Sequence, residues 1–394
     1  MYIINILIFL ICLKALVFIL LVNRKTSPKK TLRGLSTSYT VEIIIAMYNE
    51  EKVIANTLRN ISLITSENLK ITVVDDGSTD NSHKICKAEF GNDPRISILK
   101  QKNNGKASAL NRAIKSSTSD ILISIDADTL VKPDIIEKIL PYFSNCNVAA
   151  VSGNIKVANR VNLITYVQHI EYITNPNYER KIFETVNGIM VVPGAIGAFR
   201  RSALLQIGGY TNDTLTEDTD ITMKILCHGL EIRNAPDVVG YTEAPESAEA
   251  FLKQRVRWKV GTIQVLCKYL KEIFNHDNKL LSMIVVPYNW IFGILLPLIT
   301  PCLDYIALFY LLSGGELTTL KNYVVFLLLD SILCGIILIK NGEPMKFIFL
   351  ILIQRFLLRQ LIFFSYLKII GKFFSGSIFK WETSVRYGTS KVQD

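Results

Sequence analysis

From Val41 to about Phe274, short β-branched runs alternate with stretches of helical periodicity. Strands are expected at Val41–Ala46, Ile71–Asp75, Ile96–Lys100 and Ile121–Asp126, with amphipathic helices near Glu50–Ile64, Asn81–Phe90 and Gly105–Lys115. Strand and helix in regular turn predict a parallel sheet covered by helices, an α/β fold in which ligands bind beyond the carboxyl ends of the strands. Two of those ends run into acids, Asp75-Asp76-Gly77-Ser78 and Asp126-Ala127-Asp128.

On either side the pattern changes. Ile3 to Val22 is an apolar run of about 20 residues, about 30 Å long as a helix. It has no basic residue ahead of it and no small-x-small cleavage site behind, which predicts a retained anchor, with Lys14 reaching for the nearer surface. After Leu280 come Met283–Leu312, broken by Pro287, Pro297 and Pro301, then Tyr323–Ile339 and Phe347–Ile370. Three or four membrane segments are expected, the first being either a kinked crossing or an interfacial helix followed by a crossing. The chain thus divides into an N-terminal transmembrane helix (1–23), a basic linker (24–40), an α/β domain (41–246), an amphipathic interfacial helix (247–280), transmembrane or interfacial helices (281–370) and a basic tail (371–394).

Charge sharpens the topology. Arg24, Lys25, Lys29, Lys30 and Arg33 follow the first apolar run, which assigns the α/β domain to the cytoplasm. The basic tail prefers the same side, which an even number of later crossings satisfies and three do not. A net charge of +10 and a mean hydropathy of +0.30 suit a protein lying on anionic lipid and handling phosphorylated substrates. The basic residues are dispersed and form no nucleic-acid-binding motif, which excludes that class of partner. The seven cysteines include no C-x-x-C pair, which argues against a zinc site and a disulfide framework.

The candidate chemistry sits at the strand ends. Asp126 and Asp128, one residue apart at a rigid edge, can hold a hard divalent cation that bridges nucleotide phosphates, although a solvated turn leading to Pro133 is the simpler account of the pair alone. Asp76 can accept hydrogen bonds from a base or ribose, and the same stretch can cap the next helix. Lys106 opens a helix whose amides and ammonium suit a phosphate. Glu217, Asp218 and Asp220 exceed what capping the helix after Thr216 needs, and one of them can be a general base for an acceptor hydroxyl. Gln254-Arg255-Val256-Arg257-Trp258 lies on a basic amphipathic stretch that a membrane-surface helix would explain, yet Arg257 can neutralise a departing diphosphate and Trp258 can stack on a sugar ring.

Ala46-Met47-Tyr48-Asn49-Glu50, Val74-Asp75-Asp76-Gly77-Ser78, Asp126-Ala127-Asp128, Thr216-Glu217-Asp218 and Gln254-Arg255-Val256-Arg257-Trp258, in that order, resemble the processive, membrane-integrated family 2 glycosyltransferases. That group includes synthases of cellulose, chitin, hyaluronan and poly-β-1,6-N-acetylglucosamine, and the resemblance runs from about Glu42 to Lys271. It implies a GT-A (Rossmann-like) cytoplasmic domain between N- and C-terminal transmembrane helices. It further implies a nucleotide-sugar site from Tyr48, Glu50, Asp76, Lys106 and Asp126, with Asp126 and Asp128 meeting the diphosphate through Mg2+ or Mn2+. Asp218 is implied as the catalytic base with Glu217 beside it, and Gln254, Arg257 and Trp258 as the groups closing over diphosphate and acceptor. Val192 to Arg201 looks like the segment that shapes the acceptor pocket.

Pro193-Gly194-Ala195, Thr242-Glu243-Ala244-Pro245-Glu246 and Lys253-Gln254-Arg255 look most like the poly-N-acetylglucosamine synthases. The implied activity is inverting, processive transfer from a UDP-sugar, chosen as UDP-N-acetylglucosamine, to a growing β-linked polysaccharide that is exported from a multi-pass bacterial plasma-membrane protein. Membrane lipid and an accessory membrane subunit are the further partners such a resemblance leaves room for. A non-processive glycolipid synthase and a catalytically silent scaffold are the competing readings. The single N-terminal span departs from members that carry two, and no PilZ-like domain is evident. Gln354, Arg355, Arg359 and Gln360 in the last apolar run either line a translocation path or anchor the helix at the interface.

Overall fold

The computed structural model describes residues 6, 8–14, 16, 39–66, 69–275, 279–314, 317–375 and 386–392. The basic linker expected at 24–40, all but its last two residues, lies outside the described residues, as do 376–385 of the basic tail.

The first half of the domain follows the expected alternation: β1 (Val41–Met47), α1 (Ile54–Ser62), β2 (Leu69–Asp75), α2 (Ser82–Phe90), β3 (Ile96–Lys100), α3 (Lys106–Ser116) and β4 (Ile121–Ser124). β1 pairs in parallel with β2 and β4, and β2 with β3. Both faces of these strands are covered, so they read as continuous apolar runs and not as an alternation. Ile43, Ile45, Ile71 and Val73 point to one side and pack on Ile54 and Leu58 of α1, whereas Ile44 and Leu122 point to the other and pack on Leu110 and Ala113 of α3. Each such buried isoleucine or leucine contributes about 1.5–3 kcal/mol.

The second half departs from the parallel sheet that the periodicity predicts. β5 (Leu130–Val131), α4 (Ile135–Ile139), β6 (Val148–Val157), α5 (Leu163–Tyr172), α6 (Tyr178–Phe183), β7 (Gly197–Arg200), α7 (Arg201–Gln206), α8 (Glu217–Cys227) and β8 (Glu231–Thr242) complete an eight-stranded sheet of order β3-β2-β1-β4-β7-β6-β8-β5. β7 runs antiparallel to both β4 and β6, and β5 antiparallel to β8. Strands as short as β5 and β7 carry no readable alternation, so the mixed half is invisible to a period-two pattern. The result is a mixed, Rossmann-like α/β sheet.

The helix α9 (Ala248–Lys268) starts where the Ser247 hydroxyl accepts the Ala250 N–H at 3.2 Å, and α10 (Leu270–Asn275) follows it. Three further helices, α11 (Leu281–Leu312), α12 (Leu317–Lys340) and α13 (Met345–Phe374), are long and apolar enough to cross a bilayer, which marks a membrane protein. α11 is one continuous helix in spite of its prolines, which sit beside wider π-type turns at Leu281–Val285 and Asn289–Leu295.

The polar residues of α13 have acidic partners that the sequence did not single out. Arg355 pairs with Asp330 at 2.9 Å, Arg359 with Asp304 at 2.7 Å, and Gln360 donates to Asp304 at 2.8 Å. These bonds lace α13 to α11 and α12, and Leu358 is buried with Val167 of α5 and Phe251 of α9. Lys14 does not turn to the surface either: its ammonium meets Glu179 of α6 at 3.4 Å and lies 5.5 Å from the Phe292 ring centroid. Between α12 and α13, Glu343 pairs with Lys156 of β6 at 2.8 Å and with His169 of α5 at 3.0 Å.

Candidate active site

The carboxyl ends of β1, β2 and β4 open onto one cleft, together with the first residues of α3 and α8. Tyr48 and Glu50 follow β1, Asp76 follows β2, and Asp126 and Asp128 follow β4. Gly77 adopts φ +79°, and a Cβ there would stand 2.7 Å from the Asn103 nitrogen, so only glycine lets the loop before α3 lie on the loop after β2. Asp76 fixes that contact. Its carboxylate accepts from the Gln101 side chain at 2.7 Å and from the amides of Asn104 and Gly105 at 3.0 and 2.9 Å, so in this structure its oxygens serve the loop that presents Lys106.

Lys106, the first residue of α3, holds two acids that are far apart in the chain: Asp126 at 2.7 Å and Glu217 at 2.8 Å. Burial alone would raise both carboxyls, but the shared ammonium overrides it and holds them below the ordinary carboxylate range. The ammonium is stabilised in turn, its pKa raised by the same two acids against the pull of burial. Gly194, inside the segment expected to shape the acceptor pocket, backs this pair, because a Cβ there would come within 2.8 Å of the Lys106 nitrogen.

Asp218 lies next to Glu217 at the start of α8 and accepts the Thr219 amide at 2.7 Å. Burial and then the charge of Glu217 push its carboxyl up to about 6, the range of a group that can take a proton near neutrality. Arg257 of α9 adds its positive field to Asp126, Glu217 and Asp218. Asp220 belongs elsewhere, bonded to Thr211 and to Lys268 at 2.8 Å, where it secures the end of α9.

Gln254, Arg257 and Trp258 are spaced three and four residues apart, so they share one face of α9. Gly261 brings that helix against the start of α8, since a Cβ there would meet the Thr216 hydroxyl at 2.5 Å. The Trp258 ring stands 6.2 Å from Tyr172, with the Arg255 guanidinium 4.5 Å above it, and Arg255 itself is anchored to Glu171 at 2.5 Å. Gln254 lies beside the Tyr172 hydroxyl, and its carbonyl oxygen is buried without a hydrogen-bond partner.

Two site residues escaped the sequence reading of the chemistry. Arg386, from the tail, inserts its guanidinium between Glu50, at 2.9 Å, and Asp128. Glu243, at the end of β8, accepts the amides of Tyr387 and Thr389, each at 2.9 Å. Glu243 was visible only as part of a resembling motif, and a lone arginine 258 residues beyond Asp128 carries no local signal. Burial raises both Asp128 and Glu50, the latter to about 7 even with Arg386 drawing it down. Charged carboxylate oxygens from Asp126 and Asp128, with Glu50 alongside, are the donor chemistry that Mg2+ or Mn2+ selects, and the guanidinium lodged there marks a place that draws a cation. Among the described residues no three His, Cys, Asp or Glu form a complete cage, so an ion there would take its remaining ligands from substrate and water.

Comparison with known proteins bears on the family and the fold. Residues 42–208 match the sequence model of glycosyl transferase family 2. The poly-beta-1,6-N-acetyl-D-glucosamine synthase of Staphylococcus aureus (strain COL) is 29% identical over 257 residues, 65% of this chain and 62% of that protein. The synthase of the same name from Staphylococcus epidermidis is 28% identical over 229 residues, 58% of this chain and 56% of the relative. The chain thus aligns with less than two thirds of the length of these curated relatives. Among solved structures, the mannosyltransferase PcManGT from Pyrobaculum calidifontis, in complex with GDP-Man and Mn2+, superposes with a TM-score of 0.61 at 19% identity, covering 93% of this chain and 99% of that one. Residues 42–208 therefore form a family 2 glycosyltransferase domain, carried on a chain whose later part is built of long apolar helices.

Proposed function

We propose that this chain is a membrane N-acetylglucosaminyltransferase that polymerises UDP-N-acetylglucosamine into a β-linked polysaccharide by inverting, processive transfer. The observation that carries the reading is the meeting of Asp126 and Glu217 on one ammonium, with Asp218 next to Glu217 in the chain and Asp128 two residues after Asp126. The similarity to the staphylococcal synthases supports the choice of donor and product.

In this reading Asp218 takes the proton from the acceptor hydroxyl, which attacks the anomeric carbon from the face opposite the nucleotide. Lys106 and Arg257 bind the diphosphate, and Trp258 offers its ring to the acceptor sugar. Asp126 and Asp128 would hold Mg2+ or Mn2+, whose chemistry there is to neutralise charge on the leaving diphosphate. The Mn2+ in the mannosyltransferase complex supports the same donor chemistry.

The catalytic domain and the tail share the cytoplasmic side in this proposal, with α11 and α12 crossing and α13 lying along the interface. What supports it is that Glu343, Leu358 and Arg386, before, within and after α13, all touch the catalytic domain. An even number of crossings also satisfies the basic tail. Export of the polymer, and an accessory membrane subunit, belong to the same proposal.

The test is to give membranes single radiolabelled UDP-sugars and digest the product with linkage-specific glycosidases. Long polymer from UDP-N-acetylglucosamine, absent with Asp218→Asn, supports the proposal. A single-sugar lipid product would replace it with a glycolipid synthase, and incorporation that ignores Asp218 would remove the mechanism.

A further inference from the structure

Burying Glu50, Asp126 and Asp128 around one cleft requires cations, because unpaired carboxylates in such surroundings either cost several kcal/mol each or stay protonated. Lys106 meets the need of Asp126. The need of Glu50 and Asp128 is met from outside the domain, by Arg386, whose guanidinium takes Glu50 through two nitrogens at 2.9 and 3.1 Å and Asp128 through a third.

Arg386 is not a lone side chain swung into a cleft. Its carbonyl accepts from Lys52 at 3.3 Å, the next residues give two amides to Glu243, the Thr389 hydroxyl donates to Glu246 at 3.1 Å, and the Ser390 carbonyl accepts from Asn56 at 3.5 Å. Gly388 makes the fit possible. It adopts φ +72°, and a Cβ there would sit 3.0 Å from the Lys52 carbonyl oxygen. The segment 386–392 therefore has a built seat on the catalytic domain.

We propose that this segment is a removable stopper of the cation site: seated, Arg386 occupies Asp128 in place of a divalent ion, and it must withdraw before the donor-bound ion can bind. This rests on reading Asp126 and Asp128 as the cation ligands. The exclusion is steric and electrostatic, since the guanidinium nitrogen on the Asp128 oxygen fills the approach that an ion bound at about 2.1 Å would use and repels it as a charge of like sign. The stopper also keeps Glu50 and Asp128 from facing one another unpaired while the cleft is free of donor.

The experiment titrates Mn2+ into the full chain in detergent, with and without UDP, and follows free Mn2+ by its EPR signal. If the tail is seated about ten times as often as it is open, removing the seat tightens the apparent affinity about tenfold. Arg386→Ala removes the competing charge. Gly388→Val loosens the seat without altering any charge, so both variants should bind more tightly than the natural chain. Equal affinity in all three overturns the stopper, as does tightening by Arg386→Ala alone, which would leave a nearby charge and no seated segment. Asp128→Asn separates the two layers: if it binds Mn2+ as the natural chain does, the assignment of the cation site itself falls. A second readout is tryptic loss of a C-terminal tag at Lys391, which Mn2+ with UDP should accelerate in the natural chain. A rate indifferent to Mn2+ and UDP overturns the proposal.

Discussion

Lys106 and Arg386 each hold two carboxylates within the same cleft, but they are held in place very differently. Lys106 is the first residue of a helix packed on the central sheet, locked by Asp76 and by the loop over Gly77. Arg386 arrives on a tail that makes its contacts through backbone amides and a few side chains at the domain's edge. A cation fixed by the core can serve every turnover, whereas one brought by a short segment can be exchanged. The two halves of the site therefore differ in what they are built to keep and what they are built to release.

The contrast can be broken most sharply on the Lys106 side. Asp218→Asn is expected to reduce polymer formation from UDP-N-acetylglucosamine about 10²–10⁴-fold while leaving Mn2+ binding unchanged, because a general base of this kind contributes that much. Comparable turnover in the variant would move the base elsewhere. Lys106→Met should abolish donor binding and also cost up to ~3 kcal/mol of folding stability, since Asp126 and Glu217 lose their shared partner. The sign of the pH effect follows from their lowered pKa values: the stabilisation exists above the usual carboxylate range and is lost as the pH falls through the folded values. Thermal unfolding of Lys106→Met and the natural chain should therefore stay apart down through the ordinary carboxylate range and converge only below it, and a gap independent of pH would count against the pairing.

A smaller effect is expected from titration of Asp218. With its carboxyl near 6, turnover should climb with pH and level off above that value, falling about tenfold per unit on the acid side. The apparent value belongs to the Glu217 and Asp218 pair together, and a flat profile between pH 5 and 7 would exclude the assignment. Smallest is Gly194→Ala, whose methyl would press on the end of the Lys106 side chain. A cost of ~1 kcal/mol, about fivefold in donor affinity, is expected, and an unchanged donor affinity would show that Lys106 can shift freely.

The sequence made the first, parallel half of the sheet legible because strands covered on both faces leave runs such as Glu42-Ile43-Ile44-Ile45 and Lys70-Ile71-Thr72-Val73-Val74. The mixed half was not legible, since Leu130–Val131 and Gly197–Arg200 are too short to show a period. Within the site, residues at strand and helix ends were readable from type and position. Their pairing was not, because the 2.8 Å contact between Lys106 and Glu217 depends on how α8 returns to the sheet. Arg386 shows the limit of motif reading, for its meaning comes entirely from where a distant segment comes to rest. The acids opposite Arg355 and Arg359 were missed for the same reason: Asp330 and Asp304 lie on other helices and become partners only through packing.

The turn at Glu343 acts as a rivet. By clasping Lys156 and His169 it fastens the underside of the sheet to the point where one apolar helix ends and the next begins. A bilayer that thins or thickens changes the tilt of such helices, and a riveted domain has to follow that movement instead of floating above it. Tilting of those helices is thereby passed to the sheet through a single acidic turn.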